Sequence, residues 1–257
     1  MFHKLLKYEF TAVGRELLPV YLMMIAAAIL TNIFMPIKAV ISSAFALIFL
    51  AITVGAMVVT LVTTINRFQK NLLGDEGYLM FTLPVTSPQL LGSKLLSALL
   101  WNIIGILCGM VSGLSFMAQS NLSLGDIAKI LKVVGANATG ADWLTLILIC
   151  LKIVMLLATF ILAVYMAFSL TQTVAPRIRN NGLKKVLPFL AFIAVYVVHS
   201  VLFDLLSKSG IADPLQMTTV NSAMLVSMGI TLGLDLIFAG VLFFGCNYLL
   251  TRHLNLE

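Results

Sequence analysis

Six long apolar segments, separated by short polar ones, repeat along the 257-residue chain. Each is built on an uncharged stretch of about 18 residues or more, the length at which an apolar segment becomes a candidate transmembrane helix. Transmembrane β-strands are shorter and alternate apolar with polar residues, which these segments do not do. The pattern therefore predicts an all-α integral membrane protein with six transmembrane helices, near residues 17–37, 39–65, 92–118, 143–171, 186–206 and 222–250.

The composition strengthens this prediction. Hydrophobic residues make up 61% of the chain and charged residues only 10%, whereas soluble domains are about a quarter charged. No tandem repeat, low-complexity tract or soluble domain interrupts the pattern, so residues 1–257 are predicted to form a single transmembrane domain. Five prolines fall near the proposed helix ends, where a missing amide hydrogen costs little: Pro19, Pro36, Pro176, Pro188 and Pro214.

The basic residues predict the orientation of the chain. Eleven of the 16 Lys and Arg residues fall on one predicted side and four on the other, with Lys152 inside a span. Because positively charged loops stay preferentially in the cytoplasm, we expect a multi-pass protein of the cytoplasmic (plasma) membrane with both termini in the cytoplasm. The net charge of +6 is then mostly a topology signal, and we expect no nucleic-acid partner.

Two segments outside the spans also show helical periodicity. Residues 1–16 place most of their apolar side chains on one helical face and predict an interfacial helix leading into the first span. A frayed tail is the alternative. Residues 119–142 form the longest outer loop, and apolar residues at helical spacing from Ile127 to Val134 predict a short amphipathic helix at the outer surface.

Four ionisable residues fall within or beside the predicted spans. Asp235 lies about midway along the sixth span, where a charge costs several kcal/mol unless it is paired or hydrated. Lys152, His199 and Asp204 lie in the outer halves of spans four and five. A buried Lys152–Asp235 pair and a polar substrate path are two interpretations, and a protonated or hydrated Asp235 with a structural role is a third.

Glycines recur every four residues in two of the spans. Gly105, Gly109 and Gly113 do so in span three, and Gly229 and Gly233 do so in span six. Small residues at this spacing let membrane helices approach closely. Ordinary packing within the chain and a seam between two copies are both compatible with the pattern.

The sequence lacks the residue patterns of several enzyme classes. It has three histidines, His3, His199 and His253, and no His-Glu-x-x-His pair to bind zinc. It has no Gly-x-Ser-x-Gly nucleophile turn and no Gly-x-x-x-x-Gly-Lys-Ser/Thr phosphate loop. We therefore predict no catalytic residues, no metal and no cofactor in this chain, and no ATP hydrolysis by the chain itself.

The loop at residues 66–91 is unusual for a loop that faces water. Its outer parts are charged, but its centre runs through large apolar residues from Tyr78 to Leu83. Negative charge near residue 75 suits the start of a short helix, which would stop at Pro84. Ser87-Pro88 resembles an N-cap followed by proline at the first helical position. The apolar strip either lies against its own bundle and the lipid interface or docks in a groove of another protein.

This loop carries a family resemblance. Arg67-Phe68, the stretch Gly74-Asp75-Glu76-Gly77-Tyr78, the turn Leu83-Pro84-Val85-Thr86 and Lys94 resemble the cytoplasmic loop of ABC-2-type permeases, which are the transmembrane subunits of bacterial ATP-binding cassette exporters. The likeness extends to the six-span outline, the N-terminal helix and the cytoplasmic termini. Gln69 departs from the family pattern, in which an aromatic residue is frequent at this position.

The resemblance implies a role for each matching residue. Glu76, Gly77 and Tyr78 would form a coupling helix that seats in a separate ABC ATPase subunit, which would bind ATP and Mg²⁺. Asp75 and Glu76 would make charged contacts at the rim of the groove, and Tyr78 and Phe81 would fill it. Pro84 would end the element. Residues 1–16 would correspond to the family's connecting helix, and the partner permease would be a second copy or a homologous chain.

Three functions remain open at this point. The first is the permease subunit of an ATP-driven exporter, which moves an amphipathic or lipophilic substrate by alternating access. The second is an ion-coupled secondary transporter in which Asp235 and His199 handle protons. The third is a non-transporting membrane sensor or assembly protein. Membrane lipid is an expected partner in all three.

Overall fold

The structure is a computed structural model that describes residues 2–34, 39–73, 85–117, 129, 140–174, 181–208 and 220–252. These residues are almost entirely helical and include no strand, which confirms the predicted all-α class. The π-helix Gln69–Leu73 continues the second of six long α-helices. The long helices are α1 (Phe2–Phe34), α2 (Ala39–Phe68), α3 (Ser87–Met117), α4 (Gly140–Val174), α5 (Asn181–Lys208) and α6 (Val220–Arg252).

Five of the described helices contain segments that are long and apolar enough to cross a membrane. These segments are Phe2–Ile33, Ala44–Phe68, Ser87–Gly113, Asp142–Val174 and Leu225–Thr251. Helix α5 has a shorter apolar segment, Val186–Leu202, which spans about 25 Å at 1.5 Å per residue. The hydrocarbon core of a bilayer is about 30 Å thick. Five candidate spans are therefore present among the described residues, and the sixth stays a prediction.

Side-chain exposure agrees with a chain surrounded by lipid. Large apolar side chains are exposed along whole faces of the helices, for example Met57 on α2, Ile147 on α4 and Phe244 on α6. A water-soluble protein rarely exposes apolar surface of this extent. The helices thus have the composition and the surface of membrane spans.

Helix boundaries differ from the sequence expectation at the N-terminus. Residues 2–16, predicted as a separate interfacial helix, are continuous with the first span in α1. Pro19 lies inside α1 and Pro188 lies inside α5, so the expectation that these two prolines mark helix ends is wrong. Helices in membranes tolerate proline because neighbouring groups satisfy the freed backbone carbonyl. The position of residues 2–16 at a membrane surface stays a prediction.

The start of α3 differs by one residue. We predicted Ser87 as the N-cap, but Ser87 is already helical and Thr86 takes the capping position. The carbonyl of Thr86 accepts hydrogen bonds from the amides of Gln89 and Leu90, at 3.0 and 3.1 Å. The amide of Thr86 donates to Oε1 of Gln89 at 3.3 Å. This is the reciprocal half of a capping box, in which the third helical residue reaches back to the cap.

The helices divide into two compact units. The C-terminal unit contains α4, α5 and α6 together with the parts of α2 and α3 nearest the 66–91 loop, from Ile65 and up to Leu95. The N-terminal unit contains α1 from His3 and the remaining parts of α2 and α3.

The N-terminal unit is built on an aromatic core. Val13, Leu17 and Tyr21 follow one face of α1 at four-residue spacing and pack with Trp101 of α3. The indole Nε1 of Trp101 donates to the carbonyl of Phe10 at 2.9 Å. The two aromatic rings stack with their centroids 4.9 Å apart. Backbone and ring together therefore fix the register of α3 against α1.

The C-terminal unit is built on the pairing of α4 with α6. Leu162 and Ala163 of α4 pack with Ala239 and Leu242 of α6, and the small alanines allow the helices to approach closely. Helix α5 packs along α4 over a shorter length and meets α6 at few points. A cavity lies between α4 and α5 beside this pairing.

Candidate intramembrane site

Three helices of the C-terminal unit each contribute one ionisable side chain to a cluster. Lys152 of α4 donates from Nζ to Oδ2 of Asp235 on α6 at 2.5 Å. His199 of α5 places Nε2 3.3 Å from Oδ1 of the same carboxylate. The structure therefore brings together three of the four ionisable residues that the sequence singled out, and it places Lys152 and Asp235 as a direct ion pair.

The cluster is asymmetric in its burial. The Asp235 side chain is 7% exposed, whereas the side chains of Lys152 and His199 are each 30% exposed. A carboxylate taken out of water is costly unless partners replace its hydration. Here each carboxylate oxygen has one nitrogen partner, so the acid is satisfied while its two partners remain partly accessible.

A cavity of about 600 Å³ opens beside the cluster. It lies between α4 and α5, and Asp235 and Phe238 of α6 form its back wall. Its lining is mainly apolar and rich in aromatic rings. Two of these rings, Phe160 and Phe192, contact each other edge to face with their centroids 5.6 Å apart. The ring of His199 lies 4.6 Å from that of Phe238, which places the charged cluster directly against the aromatic wall.

Helical spacing explains how the lining residues meet. Phe192, Tyr196 and His199 recur at four- and three-residue intervals on α5, and all three line the cavity. Residues at these intervals share one face of a helix. His199 was singled out from the sequence, but the aromatic residues beside it were not. The stripe itself was visible in the sequence, but apolar stripes are too common in membrane helices to single it out.

Two further polar residues of α5 line the cavity. Ser200 is exposed, and its hydroxyl donates to the carbonyl of Val197 at 3.0 Å. Asp204, which the sequence placed in the outer half of this span, is also exposed and lies nearer the end of the helix. The cavity thus runs from the buried Asp235 pair toward a more polar rim.

The arrangement has the chemistry of a binding site for an amphipathic molecule. Ligand sites are typically apolar cavities of about 300–1,000 Å³ with a few placed polar groups, and this cavity has both. Among the described residues, no group of three His, Cys, Asp or Glu side chains is placed to hold a metal ion. The described cysteines, Cys108, Cys150 and Cys246, are unpaired with one another.

The residues predicted to form the coupling helix lie outside the described residues: Asp75, Glu76, Gly77, Tyr78, Phe81 and Pro84. The chain on either side of them is described. Phe68, at the end of α2, is buried and stacks on Tyr165 of α4 with ring centroids 4.0 Å apart. Leu72 in the π-helix is also buried. Beyond the loop, the capped start of α3 leads to a buried Lys94. Both ends of the loop are therefore packed into the C-terminal unit.

The glycines that recur every four residues in α3 and α6 have different surroundings. A Cβ atom at Gly105 would lie 2.7 Å from the hydroxyl oxygen of Tyr21, so α1 and α3 approach closely there. Around Gly109, Gly113, Gly229 and Gly233, no described atom lies within 4 Å of such a Cβ. As far as the described residues show, these four positions do not mark a close approach between helices of one copy.

The chain was compared with protein-family models, with curated proteins and with solved structures, and none of the three comparisons gives a match.

Proposed function

We propose that the chain is the permease subunit of an ATP-driven exporter that moves an amphipathic or lipophilic substrate across the cytoplasmic membrane. The observation that carries this proposal is the cavity in the C-terminal unit, because it combines an aromatic wall with fixed charges among apolar helices. Intramembrane ionisable groups are costly and mark substrate or ion pathways in many membrane proteins. A cargo with a polar head and an apolar body fits such a lining.

The energy source is proposed from the resemblance of residues 67–94 to the coupling loop of ABC-2-type permeases. In this proposal a separate ATPase subunit binds the apolar strip around Tyr78 and closes on ATP and Mg²⁺. Two contacts support the proposal: the packing of Phe68 on Tyr165 and the cap at Thr86. A docked loop can move α2 and α3 only if it is firmly attached to them. Movement of the strip then bears on α2 and α3 and shifts the bundle between inward- and outward-open states.

Purification of the tagged full-length chain from its native membrane tests the proposal. We expect an ATPase with a phosphate loop to co-purify and to hydrolyse ATP faster when the two proteins share a liposome. The double substitution Glu76→Ala, Tyr78→Ala should reduce this stimulation while the ATPase still binds ATP. Exposed Leu61→Ala on α2 is a control that should leave the stimulation unchanged. Wild-type stimulation in the double variant would refute the coupling assignment.

The same preparation tests the transport site. Asp235→Asn removes the charge that holds Lys152 and His199 and is expected to impair transport while leaving membrane insertion intact. Unchanged transport by this variant would remove Asp235 from the mechanism. Fusions of a reporter enzyme to each terminus test the proposed cytoplasmic location of both ends.

A second candidate is favoured by the contact between His199 and Asp235. A histidine beside a buried carboxylate can accept and release protons, as an ion-coupled carrier requires. This function predicts substrate flux that depends on a proton gradient in liposomes containing the chain alone, without ATP. A sensor or assembly protein, the third possibility, predicts no flux under either condition.

A further inference from the structure

Beside the buried carboxylate of Asp235, the ionisable groups that a ligand can reach are those of Lys152 and His199. Both oxygens of Asp235 already contact nitrogen atoms of Lys152 and His199, and the carboxylate is 7% exposed. An ammonium group carries three N–H donors and no acceptor. Among the described residues, that of Lys152 gives one of them to Asp235, while its side chain is 30% exposed.

The charges of the cluster favour a ligand with an anionic group. A cationic ligand would meet the ammonium of Lys152 before it reached the covered carboxylate. An anion would instead accept the remaining N–H groups of Lys152, and a protonated His199 would add a second positive charge beside it. Hydrogen bonds between ionised groups are about twice as strong as neutral ones, and the apolar surroundings weaken them less than water would.

The other acid at the cavity does not oppose this assignment. Asp204 lies five residues beyond His199, which is about 7 Å further along α5. Its side chain is exposed and lies two residues beyond the apolar segment Val186–Leu202 that carries His199. Lys152 and His199 both contact the buried Asp235, whereas Asp204 lies farther along α5, and this order favours an anionic head beside Lys152 rather than beside Asp204.

The remaining wall is suited to an alkyl chain. Leu156 and Phe160 of α4 face Phe192 and Tyr196 of α5 across the cavity. Leu156 and Tyr196 are both exposed in the chain, so the apolar wall continues to the surface of the helices. A chain that leaves the headgroup along this wall stays in contact with apolar side chains.

We infer that the cavity binds a single-chain amphiphile through its anionic headgroup, a carboxylate or a phosphate, with Lys152 as the direct ligand of that group. The inference names the substrate class of the proposed transport site and in that sense rests on the proposed function. In the ligand-free chain Asp235 takes one N–H donor of Lys152, and the aromatic wall contacts the alkyl chain of the ligand.

Equilibrium binding to the purified full-length chain in lipid nanodiscs tests the inference without any ATPase. The probes are palmitate, palmitoyl-lysophosphatidylglycerol, hexadecyl maltoside and hexadecyltrimethylammonium, which carry a carboxylate, a phosphate, no charge and a positive charge. We expect palmitate or the lysophospholipid to bind at least about tenfold more tightly than the neutral and cationic probes. The tighter of the two anions identifies the headgroup. Preference for the neutral or cationic probe would overturn the inference.

Three variants separate the role of Lys152 from the stability of the fold. Lys152→Gln alone leaves Asp235 short of a partner, so the double variant Lys152→Gln, Asp235→Asn, which removes both charges, is measured beside it. The double variant should bind the anion about ten- to a hundredfold more weakly. Asp235→Asn alone removes the ion-pair partner of Lys152, so this variant should bind the anion at least as tightly as the wild type does. Lys184→Gln, the same substitution on α5 at a position that does not line the cavity, is the matched control.

The outcomes distinguish this inference from the proposed function. Wild-type anion affinity in the folded double variant, or loss of anion binding in Asp235→Asn, would overturn the role of Lys152. ATP-driven transport that persists without anion binding would overturn the ligand class and leave the exporter proposal intact. Anion binding by a chain that recruits no ATPase would support the ligand class and count against the exporter.

Discussion

Substitution of Gly105 by alanine should destabilise the N-terminal unit, although alanine is the better helix former. The added Cβ would lie 2.7 Å from the Tyr21 hydroxyl oxygen and 3.0 Å from the ring carbon that carries it. That hydroxyl donates to the carbonyl of Trp101 at 2.9 Å and contacts the hydroxyl of Thr60 at 3.2 Å. Because the Tyr21 ring is buried and rigid, moving it away from the new methyl group breaks both contacts.

The expected loss follows from these two hydrogen bonds. Each contributes about 0.5–1.5 kcal/mol net, so the steric effect is about 1–3 kcal/mol. Replacing glycine by alanine within a helix returns up to about 1 kcal/mol. Gly109→Ala receives the same gain without the clash, since no described atom lies within 4 Å of its Cβ position. The difference in unfolding free energy between the two variants therefore isolates the contact with Tyr21.

Reversible unfolding in mixed micelles measures this difference, and the fluorescence of Trp101 reports on the same cluster. We expect Gly105→Ala to be about 1–3 kcal/mol less stable than Gly109→Ala. In a Tyr21→Phe background the hydroxyl is absent, so the penalty should shrink. Equal stability of the two alanine variants, or an undiminished penalty in the Tyr21→Phe background, would refute the reasoning.

Three other substitutions test the remaining contacts. Lys152→Met should cost about 3–5 kcal/mol in the unfolding free energy, because it breaks a buried ion pair, while the double variant with Asp235→Leu should recover most of this loss. Phe68→Ala should cost about 3–5 kcal/mol in the same assay, because it removes a buried ring from the stack on Tyr165. Trp101→Phe should cost about 1–3 kcal/mol, because it leaves a backbone carbonyl of α1 without its indole donor.

Exposed positions on the same helices provide the controls for these measurements. Val62→Ala on α2 and Leu151→Ala on α4 alter apolar side chains that are exposed in the chain, so each is expected to change stability by less than about 0.5 kcal/mol. Losses at these positions as large as those at Phe68 or Lys152 would mean that the assay reports general damage to the helices rather than the named contacts. Failure of the Asp235→Leu substitution to recover stability would contradict the ion-pair explanation.

The positions of the helices could be predicted because the bilayer imposes one length and one chemistry on every span. Hydropathy placed each of the six helices, and the ends differ mainly where the helices continue beyond the apolar segment, as α1 does before Leu17. The capping residue was displaced by one position because Thr86 and Ser87 are both good N-caps. Only the reach of Gln89 back to the Thr86 amide decides between them, and that is a three-dimensional fact.

The ionisable residues of the candidate site could be predicted from the sequence, but its aromatic wall could not. A charge within a span needs a partner, and this singled out Asp235, Lys152 and His199 and suggested the pair between the first two. The aromatic wall was not predictable, because Phe160 and Phe192 look like ordinary lipid-facing residues until α4 and α5 are placed side by side. For the same reason the glycine stripes could not be resolved: spacing alone does not distinguish Gly105, which touches Tyr21, from Gly109, which touches no described atom.

The π-helix at Gln69–Leu73 gives the end of α2 a tolerance to the loss of one residue. A π-helical turn holds one residue more than an α-helical turn. Four residues at 3.6 per turn therefore rotate the chain by nearly the same angle as five at about 4.6 per turn. Deleting one residue there is absorbed by tightening to α-helical geometry, and the buried face that includes Leu72 keeps its orientation. A one-residue deletion in this segment should thus be tolerated better than one in the α-helical part of α2.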